Sequence, residues 1–388
     1  MTKFIVPILL TLVLTACGGG GGGSSADTKV LDSLNHVANI QNTVNTVYNT
    51  AVADLNGDGL DDVVVSGWFY DSPTSSIWVL IQNSDGTLSD RTQAILGTTT
   101  TSGSQHVYIA DFDNDGKNDI WVPGLRDGSA FVATNSVMFW GTGSNSQFTR
   151  QVFTELVIAH GACIDDVNND GRLDMLVGGG GIYINNGNRN FTLDSSIIPG
   201  NNYFAACAVT HQANGDVNIL LTNNYTVAGF SDNINVYDSN MNFQTSFGVA
   251  KQAGEGDTIN AIAIDVNGDG AKDFIVMRNG GFGRDVYLNN GNNSYVFDSA
   301  LDTTMYNEYY TQQLSINGVQ TLLFPGGSAG TRIYQVNNGL TPFKLNSFSD
   351  MASGYASGQA QAVYRNATTN KFYMLQLLVT NFYTKELQ

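Results

Sequence analysis

The sequence has few of the residues on which many metal and catalytic sites depend. Its 388 residues include 3 Cys and 4 His. No Cys and His pairs stand at the short spacings of structural zinc sites, which argues against that class of site. The motifs of α/β-hydrolases, P-loop proteins and dinucleotide-binding proteins are also missing from the sequence. The sequence therefore carries none of these catalytic signatures.

Positive charge is scarce as well. The chain has 17 Lys and Arg against 34 Asp and Glu, and its formal net charge is −17. A nucleic-acid partner would require a basic face, so we expect no nucleic-acid binding.

Long helical periodicity is missing too. The chain is 42% apolar, only 13% charged, and contains 43 Gly. Short apolar runs separated by Asn, Asp and Gly are typical of β-strands joined by tight turns. The composition therefore predicts an all-β protein, and one domain accommodates the length.

One nine-residue motif, D-x-[DN]-x-D-G-x-x-D, occurs four times, and we call its copies loops 1 to 4. They are DLNGDGLDD from Asp54, DFDNDGKND from Asp111, DVNNDGRLD from Asp166 and DVNGDGAKD from Asp265. Calcium prefers six to eight hard oxygen ligands, which alternating carboxylates and amides on a tight loop can supply. Glycine at the sixth position permits the sharp turn. Four intact copies predict a protein that binds about four calcium ions.

The residues around the loops distinguish them from EF-hands. An EF-hand loop ends in a glutamate at position 12, within a helix. Here position 12 is valine in every copy, and the runs that contain it are DVVV, DIWV, DMLV and DFIV. Strand-like runs also precede each loop, so we expect each loop to connect two β-strands.

This combination resembles the FG-GAP or VCBS repeat, the unit of integrin α-like β-propellers. The resemblance implies that the side chains at positions 1, 3, 5 and 9 and the carbonyl at position 7 bind the ion. The implied ligands are Asp54, Asn56, Asp58, Leu60, Asp62, Asp111, Asp113, Asp115, Lys117, Asp119, Asp166, Asn168, Asp170, Arg172, Asp174, Asp265, Asn267, Asp269, Ala271 and Asp273.

The spacing of the loops gives an expected number of blades. Loops 1 to 3 begin at residues 54, 111 and 166, and loop 4 follows only at 265, which leaves room for one copy with a degenerate loop. That copy has Thr210, Gln212 and Asn214 at ligand positions, and two more degenerate copies lie near Ser315 and Ala362. The pattern predicts a seven-bladed β-propeller over residues 31–388, closed by an N-terminal strand. Six or eight blades would require one degenerate copy to be misassigned.

The N-terminus predicts export. Residues 1–16 contain Lys3 and an apolar stretch, followed by Leu14-Thr15-Ala16-Cys17. This arrangement is typical of a secretory signal, and it resembles a bacterial lipobox in which Cys17 is acylated. Residues 17–30 would form a Gly/Ser tether, and Gly18 favours the outer membrane by analogy with lipoprotein sorting. Ordinary cleavage beside an incidental cysteine is the alternative.

Cys163 and Cys207 each stand three residues before the first ligand position of a repeat. An exported protein could form a disulfide between them. Inner strands of adjacent blades diverge, however, and a bridge requires Cα atoms within about 7 Å. We therefore expect two buried thiols rather than a disulfide.

The face opposite the loops holds the candidate ligand contacts. These are Trp68, Tyr70, His106, Arg126, His160 and Arg278. Exposed aromatic rings beside polar or cationic groups suit a glycan or protein surface. The alternative is that the aromatics fill gaps between blades and the histidines are structural.

Two functions remain open from the sequence. The favoured one is a monomeric, non-catalytic adhesion module for a glycan or cell-surface protein. The other is a calcium-dependent polysaccharide lyase or hydrolase, in which His106 or His160 would converge with Arg126 or Arg278 in a deep cleft. Fold alone does not decide between them.

Overall fold

The structure is a computed structural model. It describes residues 35–39, 46–69, 74–125, 133–195, 204–212, 215–223, 234–248, 258–278, 284–291, 294–298, 312–316, 319–324, 332–336, 340–342, 361–378 and 381–387.

The described residues form 29 β-strands and one five-residue helix, as the all-β composition predicts. Strand β1 (Asn35–Asn39) precedes the first sheet. That sheet consists of β2 (Thr46–Ala53), β3 (Asp62–Phe69), β4 (Thr74–Gln82) and β5 (Leu88–Asp90). Helix α1 (Thr92–Leu96) and β6 (Thr100–Ser102) follow.

The next three sheets take their strands in chain order. The strands are β7 (Tyr108–Ala110), β8 (Asp119–Val122), β9 (Thr134–Trp140), β10 (Thr149–Val157), β11 (Ala162–Asp165), β12 (Asp174–Val177), β13 (Gly181–Asn185), β14 (Phe191–Asp194), β15 (Phe204–His211), β16 (Val217–Asn223), β17 (Ile234–Tyr237) and β18 (Phe243–Phe247).

The remaining strands are β19 (Thr258–Ile264), β20 (Asp273–Arg278), β21 (Arg284–Asn289), β22 (Tyr295–Phe297), β23 (Gln312–Ile316), β24 (Val319–Phe324), β25 (Arg332–Val336), β26 (Leu340–Pro342), β27 (Gln361–Asn366), β28 (Lys371–Leu378) and β29 (Asn381–Leu387).

These strands pair into seven sheets, of which six consist of strands that are consecutive in the sequence. Sheets I to VI are β2–β5, β7–β10, β11–β14, β15–β18, β19–β22 and β23–β26, and β6 also pairs with β4. Sheet VII has the order β1-β29-β28-β27, so the N-terminal strand completes the C-terminal sheet. Asn35 pairs with Thr384 in this antiparallel contact. The expectation that an N-terminal segment supplies the missing outer strand is confirmed.

Buried apolar side chains fill the spaces between neighbouring sheets. Six apolar clusters each include residues of two neighbouring sheets. Their members include Leu80 and Tyr364 (I and VII), Val64 and Phe139 (I and II), Trp121 and Met175 (II and III), Leu176 and Ile219 (III and IV), Leu220 and Phe274 (IV and V), and Val286 and Leu322 (V and VI). Between sheets VI and VII, the Gln312 side chain exchanges two hydrogen bonds of 2.8 and 2.9 Å with the backbone of Val363. The sheets therefore close into a ring, and the fold is a β-propeller.

A central cavity of about 820 Å³ lies inside this ring. Its lining includes residues of the first strands of sheets I to VI, which are β2, β7, β11, β15, β19 and β23, and of β27 in sheet VII. These strands are thus the innermost of their sheets. The loop that connects each of them to the next strand lies at one end of the cavity.

Two of these inner strands are joined by a disulfide between Cys163 of β11 and Cys207 of β15. The expectation of two free thiols is wrong. The Cα atoms lie 5.9 Å apart, within the range that a bridge requires. Inner strands are crowded around the cavity, and divergence between sheets develops farther from it.

Candidate metal-binding loops

Loops 1 to 4 each connect the first and second strands of a sheet. They lie between β2 and β3, β7 and β8, β11 and β12, and β19 and β20. The strands before and after each loop are antiparallel neighbours, as the apolar runs in the sequence predict. The four loops therefore occupy equivalent places in sheets I, II, III and V.

The aspartate at position 1 organises each loop through its carboxylate. In loop 1, Oδ1 of Asp54 accepts the amide of Gly57 at 2.7 Å and Oδ2 accepts the amide of Gly59 at 2.8 Å. The sixth-position amide makes the same bond to Asp111, Asp166 and Asp265. The loop backbone is therefore folded around this carboxylate by the chain itself.

Positions 4 and 6 both have left-handed backbone conformations. At position 6 the φ angles are +80, +81, +82 and +88°, all on glycine. At position 4 they are +78 and +79° on Gly57 and Gly268, and +59 and +58° on Asn114 and Asn169. Glycine and asparagine tolerate this region best. The sequence analysis missed position 4, although its restriction to Gly or Asn in every copy is a signal for it.

The side chains at positions 3 and 5 continue the pattern. The position 3 oxygen accepts the amide of position 5, at 3.0 Å between Asn56 and Asp58 and at 3.2 Å between Asp113 and Asp115. The position 5 carboxylate accepts the amide of position 7, at 2.9 Å between Asp58 and Leu60. These backbone bonds leave further lone pairs on the position 3 and position 5 oxygens.

The aspartate at position 9 is completely buried and connects the loop to the third strand. Oδ2 of Asp62 accepts the amide of Leu55 at 2.9 Å, and Oδ1 accepts the amide of Gln82 at the end of β4 at 2.8 Å. Asp119, Asp174 and Asp273 make the corresponding pairs of bonds. This residue has a structural role that the sequence analysis, which treated it only as a ligand, did not predict.

Burial raises the pKa of these aspartates. The pKa is about 7 for Asp62 and Asp119 and about 6 for Asp174, and that of Asp273 is also raised. Loss of solvation is the main cause, and the nearby carboxylates add to it, whereas the backbone hydrogen bonds act in the opposite direction. A divalent cation beside them would reverse this effect, because opposite charge favours the ionised form.

The donor set fits a hard cation. In loop 2, oxygens of Asp111, Asp113 and Asp115 all lie within 4.8 Å of one another. Within the described part of the chain, this is the one group of three acidic side chains whose oxygens lie so close together. Loops 1, 3 and 4 have an asparagine at position 3, whose amide oxygen is also a calcium ligand type. The residues of all four loops are therefore compatible with calcium.

Neighbouring loops also contact one another. Nδ2 of Asn114 in loop 2 donates to the carbonyl of Gly171 in loop 3 at 3.1 Å. Asn169 in loop 3 makes the matching bond, of 2.8 Å, to the carbonyl of Gly215 in the β15–β16 turn. Gly215 therefore stands where loop 3 has Gly171, which supports the sequence register of the degenerate repeat.

The degenerate repeat of sheet IV uses its ligand positions differently. Thr210 at position 1 and Asn218 at position 9 lie 3.4 and 3.2 Å from the hydroxyl of Tyr295 in β22. A tyrosine hydroxyl from sheet V thus contacts both of these side chains. Asn214, at position 5, lies outside the described residues.

The candidate ligand contacts have separate outcomes. His106 and His160 lie together, with Nε2 of His106 2.8 Å from the carbonyl oxygen of His160, but they are 4% and 9% exposed. Burial lowers the pKa of His106 to about 4. These positions favour the structural interpretation of the histidines.

The aromatic and arginine candidates are only partly described. Trp68 lies in β3, which continues to Phe69, and its backbone pairs with Val47 of β2. Arg278 is the last residue of β20. Tyr70 and Arg126 lie outside the described residues.

Comparison with known families gives a direct match. Residues 41–122 match the FG-GAP-like repeat family. The chain carries an FG-GAP-like repeat. The matched range includes loops 1 and 2, and loops 3 and 4 share their hydrogen bonds. No curated protein sequence matches the chain.

Solved structures resemble the chain in fold. A crystal structure of BBS1N in complex with ARL6DN, soaked with lead, is 11% identical over 87% of this chain and 91% of that chain, with a TM-score of 0.51. A mercury-soaked crystal of the same complex is 12% identical over 92% and 96%, with a TM-score of 0.50. At this level of identity the likeness concerns the fold alone.

Membrane association was predicted from the N-terminus. The signal segment 1–16, Cys17 and the tether lie outside the described residues. Within the described ranges, no helix has the length and apolar character needed to cross a membrane.

Proposed function

We propose that this protein is a calcium-stabilised, non-catalytic binding module that is displayed on the bacterial cell envelope and holds a protein or glycan partner. The observation that supports the calcium role is the common hydrogen-bond pattern of the four loops. In each loop, backbone amides orient the side-chain oxygens of positions 1, 3, 5 and 9 within one turn.

Calcium would be held by those oxygens and by the carbonyls of Leu60, Lys117, Arg172 and Ala271. When bound, the ion supplies positive charge that offsets the clustered carboxylates. The chain's own residues transmit this effect, because Asp62 and its equivalents link each loop to the third strand of its sheet. Calcium would therefore stabilise the inner half of sheets I, II, III and V.

The binding role is supported by the FG-GAP-like repeat and by the propeller architecture, a rigid ring that presents loops at both ends. The partner would contact the end away from loops 1 to 4, near the outer end of β3, where Trp68 lies. Attachment through an acylated Cys17 and the Gly/Ser tether would hold the propeller near the outer membrane. Two or more acyl chains would be needed for stable anchoring.

Calcium calorimetry of the metal-free protein tests the first part. We expect about four bound ions, and Asp58→Ala, which removes the position 5 ligand of loop 1, should reduce the number by one. Asn214→Ala, at the matching position of the degenerate repeat, is the control and should leave the number unchanged. No heat of binding in the wild-type protein would reject the calcium role.

A glycan array and a panel of envelope proteins test the partner role. Trp68→Ala should weaken binding while leaving the melting temperature and calcium content unchanged. If Trp68 instead fills a gap between sheets, the substitution should cost about 3–5 kcal/mol of stability. Reduced stability with undiminished binding would reject the contact.

A further inference from the structure

We propose that Arg189 is a built-in counter-ion for loop 2, which lowers the calcium affinity of loop 2 below that of loops 1 and 4. This inference rests on the proposed calcium function. A residue of sheet III would then set the calcium affinity of a loop in sheet II.

The Arg189 guanidinium lies on the acidic cluster of loop 2. Its Nε donates to Oδ2 of Asp113 at 2.6 Å, and a terminal nitrogen lies 3.8 Å from Oδ2 of Asp115. Asp113 and Asp115 belong to the group whose oxygens gather within 4.8 Å. One guanidinium therefore spans two of the four carboxylates that a calcium ion in loop 2 would use.

Contacts within sheet III and with sheet II hold Arg189 in this place. It lies in the turn between β13 and β14 with a φ of +61°, next to Asn188 at +52°. Its Cζ is 4.9 Å from the ring centroid of Trp140, at a distance typical of a cation–π contact. Nδ2 of Asn185, at the start of the turn, donates to the carbonyl of Phe112 in loop 2 at 2.7 Å. The turn and the loop are thus joined at two places.

Loop 2 also differs chemically from the other loops. It has Asp113 at position 3, where loops 1, 3 and 4 have asparagine. In loops 1 and 4 the asparagine amide donates to the position 5 carboxylate, at 3.0 Å from Asn56 and 2.9 Å from Asn267. In loop 2 a second carboxylate takes this place. Arg189 donates to that carboxylate, and Lys117 donates to the position 5 carboxylate in place of the asparagine amide. The extra acid of loop 2 and the arginine across the sheet boundary are therefore complementary.

A second cation reinforces the effect. Lys117, at position 7 of loop 2, pairs with Oδ2 of Asp115 at 2.8 Å. Among the described residues, the carboxylates of loops 2 and 3 form ion pairs. In loop 3 the pair is Arg172 with Asp170. A calcium ion entering loop 2 must displace the Arg189 guanidinium or bind beside a like charge, and both reduce its affinity. In the part of the chain that the structure describes, no ion pair competes in this way for the carboxylates of loops 1 and 4.

The test compares wild-type protein with Arg189→Gln in calcium calorimetry. We expect the weakest class of site to bind about three- to fivefold more tightly in the variant, the size that a partly exposed ion pair supports. Arg91→Gln is the control, because it removes the same charge from an exposed residue between β5 and α1. It should leave all affinities within error.

A second comparison assigns the change to loop 2. In an Asp115→Ala background, which removes a ligand of loop 2, Arg189→Gln should leave the remaining affinities unchanged. Arg189→Lys, which keeps the charge but loses the fork, should bind calcium less tightly than Arg189→Gln. Unchanged or weaker calcium binding by Arg189→Gln would overturn the inference while leaving four-site binding intact. Failure of the wild-type protein to bind calcium would reject the proposed function itself.

Discussion

The Cys163–Cys207 disulfide should contribute a large part of the stability of sheets III and IV. The bridge links residues 44 positions apart on neighbouring inner strands. Closing a loop of this length in the unfolded chain is worth about 4 kcal/mol in the chain-entropy description. Both sulfurs also lie against the apolar contact between the two sheets, which includes Leu176 and Ile219. Reduction should therefore weaken the folded state without removing apolar side chains.

Urea unfolding at constant saturating calcium, with and without dithiothreitol, measures this contribution. A loss of about 4 kcal/mol should lower the midpoint by roughly 1 M if the slope is near 3 kcal/mol per molar urea. The double variant Cys163→Ala/Cys207→Ala is the control, since its midpoint should not respond to reductant. An unchanged wild-type midpoint, with two free thiols counted after reduction, would refute the reasoning.

Three further predictions follow from the loops, the buried histidine and the N-terminus. Removing calcium with EGTA should lower the melting temperature, since each site at tenfold saturation contributes about 1.4 kcal/mol, and identical calorimetric traces would rule this out. Burial lowers the pKa of His106 from 6.5 to about 4, so the part of the stability that depends on His106 should be complete above pH 6.5 and should be lost, by about 3 kcal/mol, as the pH falls toward 4. Denaturant titrations at pH 7 and pH 4.5 should show that the stability of the wild-type protein falls relative to that of His106→Gln at the lower pH, and an equal change in both proteins would contradict the prediction. Cys17→Ser should remove acylation, which mass spectrometry of the mature N-terminus detects, and a wild-type protein with an unmodified terminal Cys17 would contradict the lipoprotein prediction.

Much of the fold could be predicted from local sequence. The loop motif fixes its own backbone, because Asp54 and its equivalents accept amides only a few residues away. The apolar runs on both sides then pair as antiparallel strands. The degenerate repeat of sheet IV was also located correctly, since Gly215 keeps the conformation and contact of its counterparts.

What the sequence analysis missed depends on distances between sheets. The 5.9 Å approach of Cys163 and Cys207 reflects how tightly inner strands surround the cavity, and no pattern within one repeat encodes that distance. Arg189 is 76 positions from Asp113 and lies outside the motif, so only the packing of sheet III against sheet II brings them together. The contact of Tyr295 with Thr210 and Asn218 has the same origin.

An anomalous difference map from a crystal grown in millimolar calcium tests the central claim most directly. We predict a peak in each of loops 1 to 4, surrounded by the oxygens of positions 1, 3, 5, 7 and 9, and no peak in the β15–β16 turn of sheet IV. A map in which all four loops lack a peak would contradict the account.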